Sequence, residues 1–257
     1  MDIQYGVGRL SIISVRKEPS SLSQQVTQLL FGDHYEVIDE SKDRHWLQIR
    51  IYFDGTIGWI DAKQHHAITR EYFDQINTAD FKITTDVCST ILYKKTPLSI
   101  VIGSVVPISQ SELFKMEEQF AFNGEAKSIG QKRDGEFVKN IALKYLNAPE
   151  QDGGRSPFGI DGMGLIQTVY RIAGYHLPRS LALFQSQHQQ VSLPQVGDVV
   201  LLKAGQGLSV ALLVADDKIM HVSGRARIDL LAGNEVIDAE TKIKTHAINN
   251  VLHVLVD

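Results

Sequence analysis

Short runs of alternating apolar and polar residues fill the first quarter of the chain. They recur through residues 1–68, at intervals of about 8 to 12 residues, and turns such as Asp54-Gly55 separate them. Strands this short and this closely spaced are typical of a small β-barrel. We predict such a barrel over residues 1–68, with Trp46 and Trp59 as the aromatic anchors of its core.

Residues 69–130 have a weaker pattern of the same kind. Residues 69–77 have the spacing of a short connecting helix, and short apolar runs follow it. We predict strands in these runs, at residues 81–87, 90–95, 98–108, 113–118 and 119–124. They indicate a second small β-unit.

From about residue 131 the apolar period becomes helical. It predicts a helix over residues 135–147 and a second helix that begins around Gly162, has Asp161 as its N-cap and ends at Gly174. Strand-like runs follow, at residues 197–202, 207–217, 218–224 and 249–257. Helices followed by an antiparallel sheet indicate an α+β domain over residues 131–257.

Composition and charge narrow the possible functions. Of 257 residues, 43% are hydrophobic and 22% are charged, and the formal net charge is −4. Basic residues are scattered, so we expect no binding to nucleic acid. The sequence has no apolar run of membrane-spanning length and no signal-peptide pattern at its start, and Cys88 is its single cysteine. We therefore expect a cytoplasmic protein that does not bind membranes and has no disulfide.

Few residues offer chemistry by themselves. A helix N-terminus suits a nucleophile, but Gly162 has no side chain there. Cys88 is predicted to be a buried structural residue on a strand, and His221 is predicted to lie on a strand. The pair His65-His66 points to opposite faces of a strand, and the sequence has no CxxC or HExxH pattern. We expect no metal and no cofactor.

Several longer stretches resemble a known family. They are GGRSPFGIDGMGLIQTVYRIAGYHLPR, GDVVLL, VALLVADDKIMHVSGRARIDLL, VRKEPSSLSQQVTQLLFG and GWIDAKQ. Together they resemble the NlpC-type papain-like cysteine peptidases with bacterial SH3 domains, in particular the YkfC-like γ-D-glutamyl-L-diamino acid endopeptidases of murein peptide recycling. The resemblance implies an α+β papain-like domain at 131–257 behind two SH3-like barrels at 1–68 and 69–130.

The catalytic residues of that family do not carry over. Its helix opens with Asp-Cys-Ser-Gly, and this chain has Asp161, Gly162, Met163 and Gly164 at those positions. The histidine that acts as base corresponds to Ser209. The third polar residue, which orients that histidine, corresponds to His221.

Other positions of the family also differ. Its Tyr-Leu-Trp before the glycine pair is replaced by Glu150, Gln151 and Asp152, and its Asp-Ala-Ser-Gln segment by residues 180–183. An acidic residue and a tyrosine of the first SH3 unit, which help to bind the free amine of the substrate, correspond to Gln24 and Thr56. The resemblance implies that Asp161 alone remains of that amine site, and that Glu150 and Asp152 make the cleft acidic.

These differences predict a catalytically inactive homologue that binds a muropeptide or a protein partner in the former substrate groove, between the first SH3 unit and the peptidase domain. The alternative is an active hydrolase of murein peptides that uses Ser209 or Cys88 with His221 or another histidine. A third reading is a structural subunit without a small-molecule groove.

Overall fold

The computed structural model describes residues 4–78, 80–107, 120–205 and 207–255. The strand predicted at 113–118 lies outside the described residues. The chain forms two compact units: Met1–Gln131 with Asp152–Arg155, and Lys132–Gln151 with Ser156–Asp257. No helix within the described ranges is long and apolar enough to cross a membrane.

The first unit begins with an antiparallel sheet of seven strands. They are β1 (Gln4–Val7), β2 (Ile12–Arg16), β3 (Gln25–Leu30), β4 (His34–Glu40), β5 (Trp46–Ile51), β6 (Ile57–Asp61) and β7 (Ala67–Ile68), with a 3-10 helix at Ala62–Gln64. Their order in the sheet is β3-β2-β6-β5-β4-β1-β7. The alternating runs predicted from the sequence are confirmed as strands.

The prediction that Trp46 and Trp59 anchor the core of this sheet is wrong. Both indoles are only half-buried. In the register of β5 and β6, Trp46 pairs with Asp61 and Trp59 pairs with Gln48. Side chains alternate between the two faces of a strand, so both tryptophans lie on the face opposite to the core. The core consists of Ile13, Val15, Leu29, Tyr35, Leu47, Ile49, Ile51 and Ile60.

Where the structure describes it, the rest of the first unit contains one helix and two small sheets. The elements are α1 (Arg70–Thr78), β8 (Lys82–Thr84), β9 (Cys88–Tyr93), β10 (Thr96–Val101), β11 (Val105–Val106), β12 (Phe120–Asn123) and β13 (Ala126–Ser128). The sheets have the orders β10-β9-β12 and β11-β8-β13. Cys88 lies on a strand as predicted, but it is exposed and not buried. Side chains alternate along β9, so Ser89 and Ile91 are buried whereas Cys88, Thr90 and Leu92 are exposed.

The second unit packs helices with a second seven-stranded sheet. β14 (Arg155–Ser156) begins in the first unit and ends in the second. The other elements are α2 (Gly135–Leu143), β15 (Gly159–Ile160), α3 (Gly162–Ile172), α4 (Leu181–Gln187), β16 (Gln189–Gln190), β17 (Val199–Ala204), β18 (Gly207–Ala215), β19 (Lys218–Ser223), β20 (Arg225–Ala232), β21 (Glu235–Ile237) and β22 (Lys244–His253). The sheet has the order β16-β22-β17-β18-β19-β20-β21, and a further pairing of β22 with β21 closes it into a barrel. The α+β prediction is confirmed.

Of the two helices predicted in this unit, the start of α3 is confirmed, whereas the end of α2 was predicted too late. Helix α3 begins at Gly162 and has Asp161 as its N-cap, as predicted. Helix α2 ends at Leu143, four residues before the predicted end. After it, the amides of Tyr145 and Leu146 bond to carbonyls three residues back, and Asn147 has a φ of 68°. The helical turn therefore tightens and then stops.

A short segment of the chain around residues 152–155 is part of the first unit and brings a buried charge into it. Arg155 and Asp33 are both fully buried, and Nη1 of Arg155 lies 2.9 Å from Oδ2 of Asp33. The same Nη1 donates to the carbonyl of Gln28 at 2.7 Å, and the guanidinium lies 4.7 Å above the ring of Phe53. Gly153 has a φ of +70°, and a Cβ there would lie 2.5 Å from the carbonyl oxygen of Gln25. Position 153 therefore requires glycine, and the buried pair of Arg155 with Asp33 holds the segment in place.

A second group of buried charges lies in the barrel of the second unit. Asp229 is 1% exposed; its Oδ2 lies 2.8 Å from Nε2 of His221, and its Oδ1 accepts from Arg227 at 2.9 Å and from the amide of Ala239 at 2.9 Å. Arg227 also pairs with Asp238 at 2.8 Å. Burial opposes ionisation of Asp229, but the bonds from Ala239, His221 and Arg227 outweigh it and hold its pKa below the usual range. Asp229 is therefore ionised and fully bonded at neutral pH.

We predict that Arg155→Met destabilises the protein strongly, because it leaves the carboxylate of Asp33 buried without its cation. Removal of one partner of a buried pair costs about 3–5 kcal/mol. The double variant Arg155→Met with Asp33→Leu should recover most of that loss, because neither charge then remains buried. The matched control is Arg44→Met, whose pair with Glu40 is on the surface and should contribute less than about 0.5 kcal/mol. Urea unfolding followed by fluorescence measures all of these, and equal losses for Arg155→Met and Arg44→Met would contradict the account.

We predict that Asp229→Asn lowers the free energy of unfolding by about 2–4 kcal/mol at pH 7. The pKa of Asp229 is lower in the folded than in the unfolded protein, so its stabilising contribution is present above about pH 4 and is lost as the pH falls through the folded pKa. The difference between the wild-type protein and this variant should therefore shrink below about pH 4. Urea unfolding at a series of pH values tests this, with the exposed Asp216→Asn as control. A difference that stays constant down to pH 3 would show that the charge of Asp229 contributes nothing.

Candidate binding site at the start of helix α3

The candidate site is built around the N-terminus of α3. Oδ1 of Asp161 accepts a hydrogen bond from the amide of Gly164 at 2.7 Å, and its carbonyl accepts from the amide of Leu165 at 2.9 Å. The helix is buried from Gly164 to Ile172. Burial along its length fixes the axis, and the cap fixes the first turn, so the backbone at Gly162 is firmly placed.

Gly162 faces strand β18. A Cβ on Gly162 would lie 3.1 Å from Cγ2 of Val210, 3.6 Å from its carbonyl oxygen and 4.0 Å from its backbone nitrogen. Val210 directly follows Ser209 in β18. The backbone of Gly162, the position that the resemblance assigns to the nucleophile, therefore lies one residue along β18 from Ser209, the position that it assigns to the base. The contact is made by Val210, whose side chain lies on the opposite face of the strand from that of Ser209.

The register of the sheet also places Ser209 and His221 on one face. Ala211 of β18 pairs with His221 of β19, and residues two apart on a strand share a face. Oγ of Ser209 is buried and has no hydrogen-bond partner among the described residues. A serine nucleophile is activated by a base that is hydrogen-bonded to its hydroxyl. Among the described residues, no base is bonded to the hydroxyl of Ser209.

His221 is held by residues other than Ser209. Its Nε2 bonds to Asp229, and its ring meets that of His246 edge-on at 5.5 Å between centroids. Burial and, after it, the neighbouring His221 lower the pKa of His246, although Asp229 acts in the opposite direction. His246 is therefore neutral at pH 7. Within the described ranges, no group of three or more His, Cys, Asp or Glu residues could hold a metal ion.

Asp161 has a charged partner that sequence reasoning missed. Its Oδ2 accepts a hydrogen bond from Nη2 of Arg179, and the two side chains are 22% and 13% exposed. Arg179 lies 18 residues further along the chain, beyond the end of α3, so no local pattern connects it to the cap. The N-terminus of α3 therefore presents a carboxylate and a guanidinium side by side.

The acidic residues predicted near the cleft lie in different units. Oε2 of Glu150 accepts from the amide of Gly224 at 2.6 Å, in the turn between β19 and β20. Glu150 is thus bound to the barrel, with an exposed side chain. Asp152 belongs to the first unit, where its carbonyl accepts from Nε2 of Gln25 at 3.0 Å. Gln151 bonds through its amide to the carbonyl of Ile160 at 3.0 Å.

The remaining candidates are distributed over both units. Gln24 is exposed and Thr56 is half-buried, and both belong to the first unit, as does Cys88. The amide of Thr56 donates to Oδ1 of Asp54 at 2.9 Å, in the turn before β6. Ser180, in the segment that differs from the family, is the N-cap of α4. The roles of Gln24 and Thr56 in ligand binding stay predictions.

Two parts of the chain match models of known protein families. Residues 15–64 match the bacterial dipeptidyl-peptidase SH3 domain. Residues 151–245 match the NlpC/P60 family. The assignment of residues 69–130 to a second SH3-like unit stays a prediction.

Two proteins with similar sequences are named as dipeptidyl-peptidases. A protein named dipeptidyl-peptidase 6, from Lysinibacillus sphaericus, is 26% identical, and the alignment covers 85% of each chain. A protein named γ-D-glutamyl-L-lysine dipeptidyl-peptidase, from Bacillus cereus, is 24% identical over 76% of this chain and 66% of its own length.

A solved structure supports the fold over nearly the whole chain. The crystal structure of an NlpC/P60 family protein from Bacillus cereus superposes with a TM-score of 0.76 at 17% identity, and the match covers 96% of this chain and 98% of that one. From these matches, the chain carries a bacterial SH3 domain of the dipeptidyl-peptidase type followed by an NlpC/P60 domain.

Proposed function

We propose that this protein is a non-catalytic NlpC/P60 homologue that binds a muropeptide or a protein partner at the N-terminus of α3. The observation that carries the proposal is the pair of positions at Gly162 and Ser209. Gly162 contacts Val210, the residue after Ser209, and neither Gly162 nor Ser209 can supply a thiolate or an imidazole base.

The bonds of His221 support the loss of catalysis. An orienting histidine acts by holding the base in place, and Ser209 offers no imidazole to hold. His221 is instead bonded to the buried carboxylate of Asp229. Its retention is therefore explained by the stability of the barrel and needs no reaction.

The chemistry at Asp161 supports a peptide ligand. The relatives are named for dipeptidyl-peptidase activity, one of them on γ-D-glutamyl-L-lysine. A ligand of this kind has a free amine and a free carboxylate. Asp161 and Arg179 offer one partner to each, and both remain partly exposed. Glu150, which forms a β-bridge with Ile160 next to Asp161, would add negative charge that favours the amine-bearing end.

The first test restores the missing chemistry with the double variant Gly162→Cys and Ser209→His. The thiol would stand at a helix N-terminus, which favours the thiolate, and the imidazole would share a face with His221. Val210 must shift by a few tenths of an ångström to admit the new Cβ. We expect this variant to release lysine from L-Ala-γ-D-Glu-L-Lys at least about 100-fold faster than either single variant, because each lacks its partner.

The measurement is lysine release followed by mass spectrometry, with the two single variants as matched controls. The unmodified protein should release no lysine above the rate without protein. Release by the unmodified protein at the rate of the double variant would refute the proposal and would favour a hydrolase with relocated residues.

The second test separates the charge of Asp161 from its role as a cap. Asparagine caps helices as well as aspartate does, so Asp161→Asn keeps the cap and loses only the ion pair with Arg179. Asp161→Ala loses both and should cost about 1 kcal/mol more than Asp161→Asn. Both should weaken binding of L-Ala-γ-D-Glu-L-Lys by about tenfold or more, because a charge-assisted bond to the amine is lost. Calorimetry measures the binding, with the exposed Asp216→Asn as control. Unchanged affinity in Asp161→Asn would place the ligand elsewhere.

A further inference from the structure

The three-stranded sheet β10-β9-β12 of the first unit has one buried face and one open face. The buried face contributes Ile91, Ile100 and Phe120 to a cluster of apolar side chains. Side chains alternate along each strand, so the residues between these point to the other side. We call that side the open face; its residues are Cys88, Thr90, Leu92, Pro97, Ser99, Val101, Ala121 and Asn123, all exposed except Val101.

The open face carries no charged side chain. The register of the strands aligns its residues into a row of apolar side chains, Pro97, Leu92 and Ala121, and a row of small polar ones, Ser99, Thr90 and Asn123. The solvent-facing side of the first sheet differs, because Arg50 pairs with Glu36 there at 3.1 Å. An exposed sheet face is usually polar, and an exposed apolar patch marks a contact surface. The open face is therefore suited to a protein contact.

The two ends of the open face carry opposite charges. Lys94 and Lys95 form the turn between β9 and β10 at one end. At the other end, Oδ2 of Asp86 accepts from the amide of Glu125 at 2.6 Å, so two acidic residues lie side by side. Lys95 and Glu125 are exposed, and neither side chain has an ion-pair partner within the described ranges. A basic end and an acidic end therefore lie about 20 Å apart along β9.

The turn at the basic end is unfavourable for lysine. Lys94 has a φ of 48° and Lys95 has a φ of 64°. A two-residue turn of this type prefers asparagine and glycine, because other residues are strained at positive φ. Strain of this kind is often found at functional positions. The strained turn therefore indicates that a cation has a use at this end of the face.

The free edge of β10 is blocked against the addition of another strand. The carbonyl of Ser99 points to that edge, where it accepts a hydrogen bond from the hydroxyl of Ser11. Pro97, two residues earlier, points to the same edge and has no amide hydrogen to donate. A partner is therefore expected on the open face and not at this edge.

From these features we propose that the open face binds a second copy of this chain, with the two faces packed against each other in antiparallel orientation. A two-fold axis through the centre of the face places Lys95 of each copy near Glu125 of the other. The centre must then be uncharged, because a charge close to the axis would meet its own image. The charge pattern is thus complementary to itself. The proposal is independent of the function proposed for the N-terminus of α3.

The small size of the open face limits the affinity. Its strands have at most six residues, so the face measures about 20 Å by 10 Å between the outer strand axes. This is well below the area of about 800 Å² per partner that stable complexes bury. We therefore expect a dissociation constant between about 10 µM and 1 mM.

The first test is sedimentation velocity of the full chain from about 10 µM to 1 mM, where we expect a shift from monomer to dimer. Leu92→Lys places a charge near the proposed axis and should weaken the dimer by about tenfold or more. The matched control is Ile57→Lys on β6, since Ile57 is 48% exposed and Leu92 is 42% exposed; it should change the affinity by less than about twofold. A monomer at all concentrations, or equal effects of the two variants, would overturn the proposal.

The second test reverses the charges at the two ends. Lys95→Glu and Glu125→Lys, each alone, should weaken the dimer by about tenfold or more, because each removes the attraction at both ends. An equimolar mixture of these two variants should associate about as strongly as the unmodified protein, because opposite charges face each other again in the mixed dimer. A mixture that associates no better than either variant alone would contradict the antiparallel arrangement.

The third test separates the contact from the stability of the fold. Lys95→Gly removes the cation and supplies the residue that the turn prefers. This variant should resist urea at least as well as the unmodified protein, and its dimer should be weaker by about fivefold or more. Unchanged dimer affinity would show that the charge of Lys95 is not used and would overturn the proposal.

Discussion

The burial of helix α3 is the constraint on which the candidate site depends. All residues from Gly164 to Ile172 are buried, so the helix has no freedom to rotate or slide without exposing apolar surface. Asp161 closes its first turn, and Gly162 contacts Val210 of β18. This packing alone brings Gly162 against the residue that follows Ser209. It persists without a nucleophile, because it rests on hydrophobic contacts and a cap, and neither involves the missing side chains.

Buried charges have a different role in each unit. In the first, Arg155 and Asp33 hold the segment Asp152–Arg155 in place, together with the backbone of Gln28. In the second, the carboxylate of Asp229 forms hydrogen bonds with His221, Arg227 and the amide of Ala239. Such pairs contribute little net stability compared with apolar residues, but they tolerate no loss of a partner. Each of these buried charged residues therefore has a structural reason to be present.

The sequence predicted those elements whose pattern is local. The start of α3 follows from a capping aspartate before an apolar helical repeat, and the strands of the first sheet follow from alternation. Alternation also shows which residues share a face, but it cannot tell which face is the core, and this is why Trp46 and Trp59 were placed inside. The exposed position of Cys88 has the same origin. A free cysteine is usually buried, but the alternation of side chains along β9 turns Cys88 outward.

The rest of the site depends on contacts between distant residues. Arg179 reaches Asp161 across a helix and a loop, and Asp229 reaches His221 from the next strand. Strands β20 and β21 were missed because charged residues such as Arg227, Asp229 and Glu235 interrupt their apolar pattern. These two contacts join residues that are 18 and 8 positions apart in the chain. No single stretch of sequence carries that information.

The most direct test of the central claim, that the N-terminus of α3 carries no reaction, is a single-turnover experiment with the unmodified protein in excess over L-Ala-γ-D-Glu-L-Lys. Mass spectrometry of the peptide and of the intact protein would follow both product and any acyl intermediate. The account predicts intact peptide and unmodified protein throughout, even while calorimetry detects binding. Formation of L-Ala-D-Glu, free or attached to the protein, would contradict it.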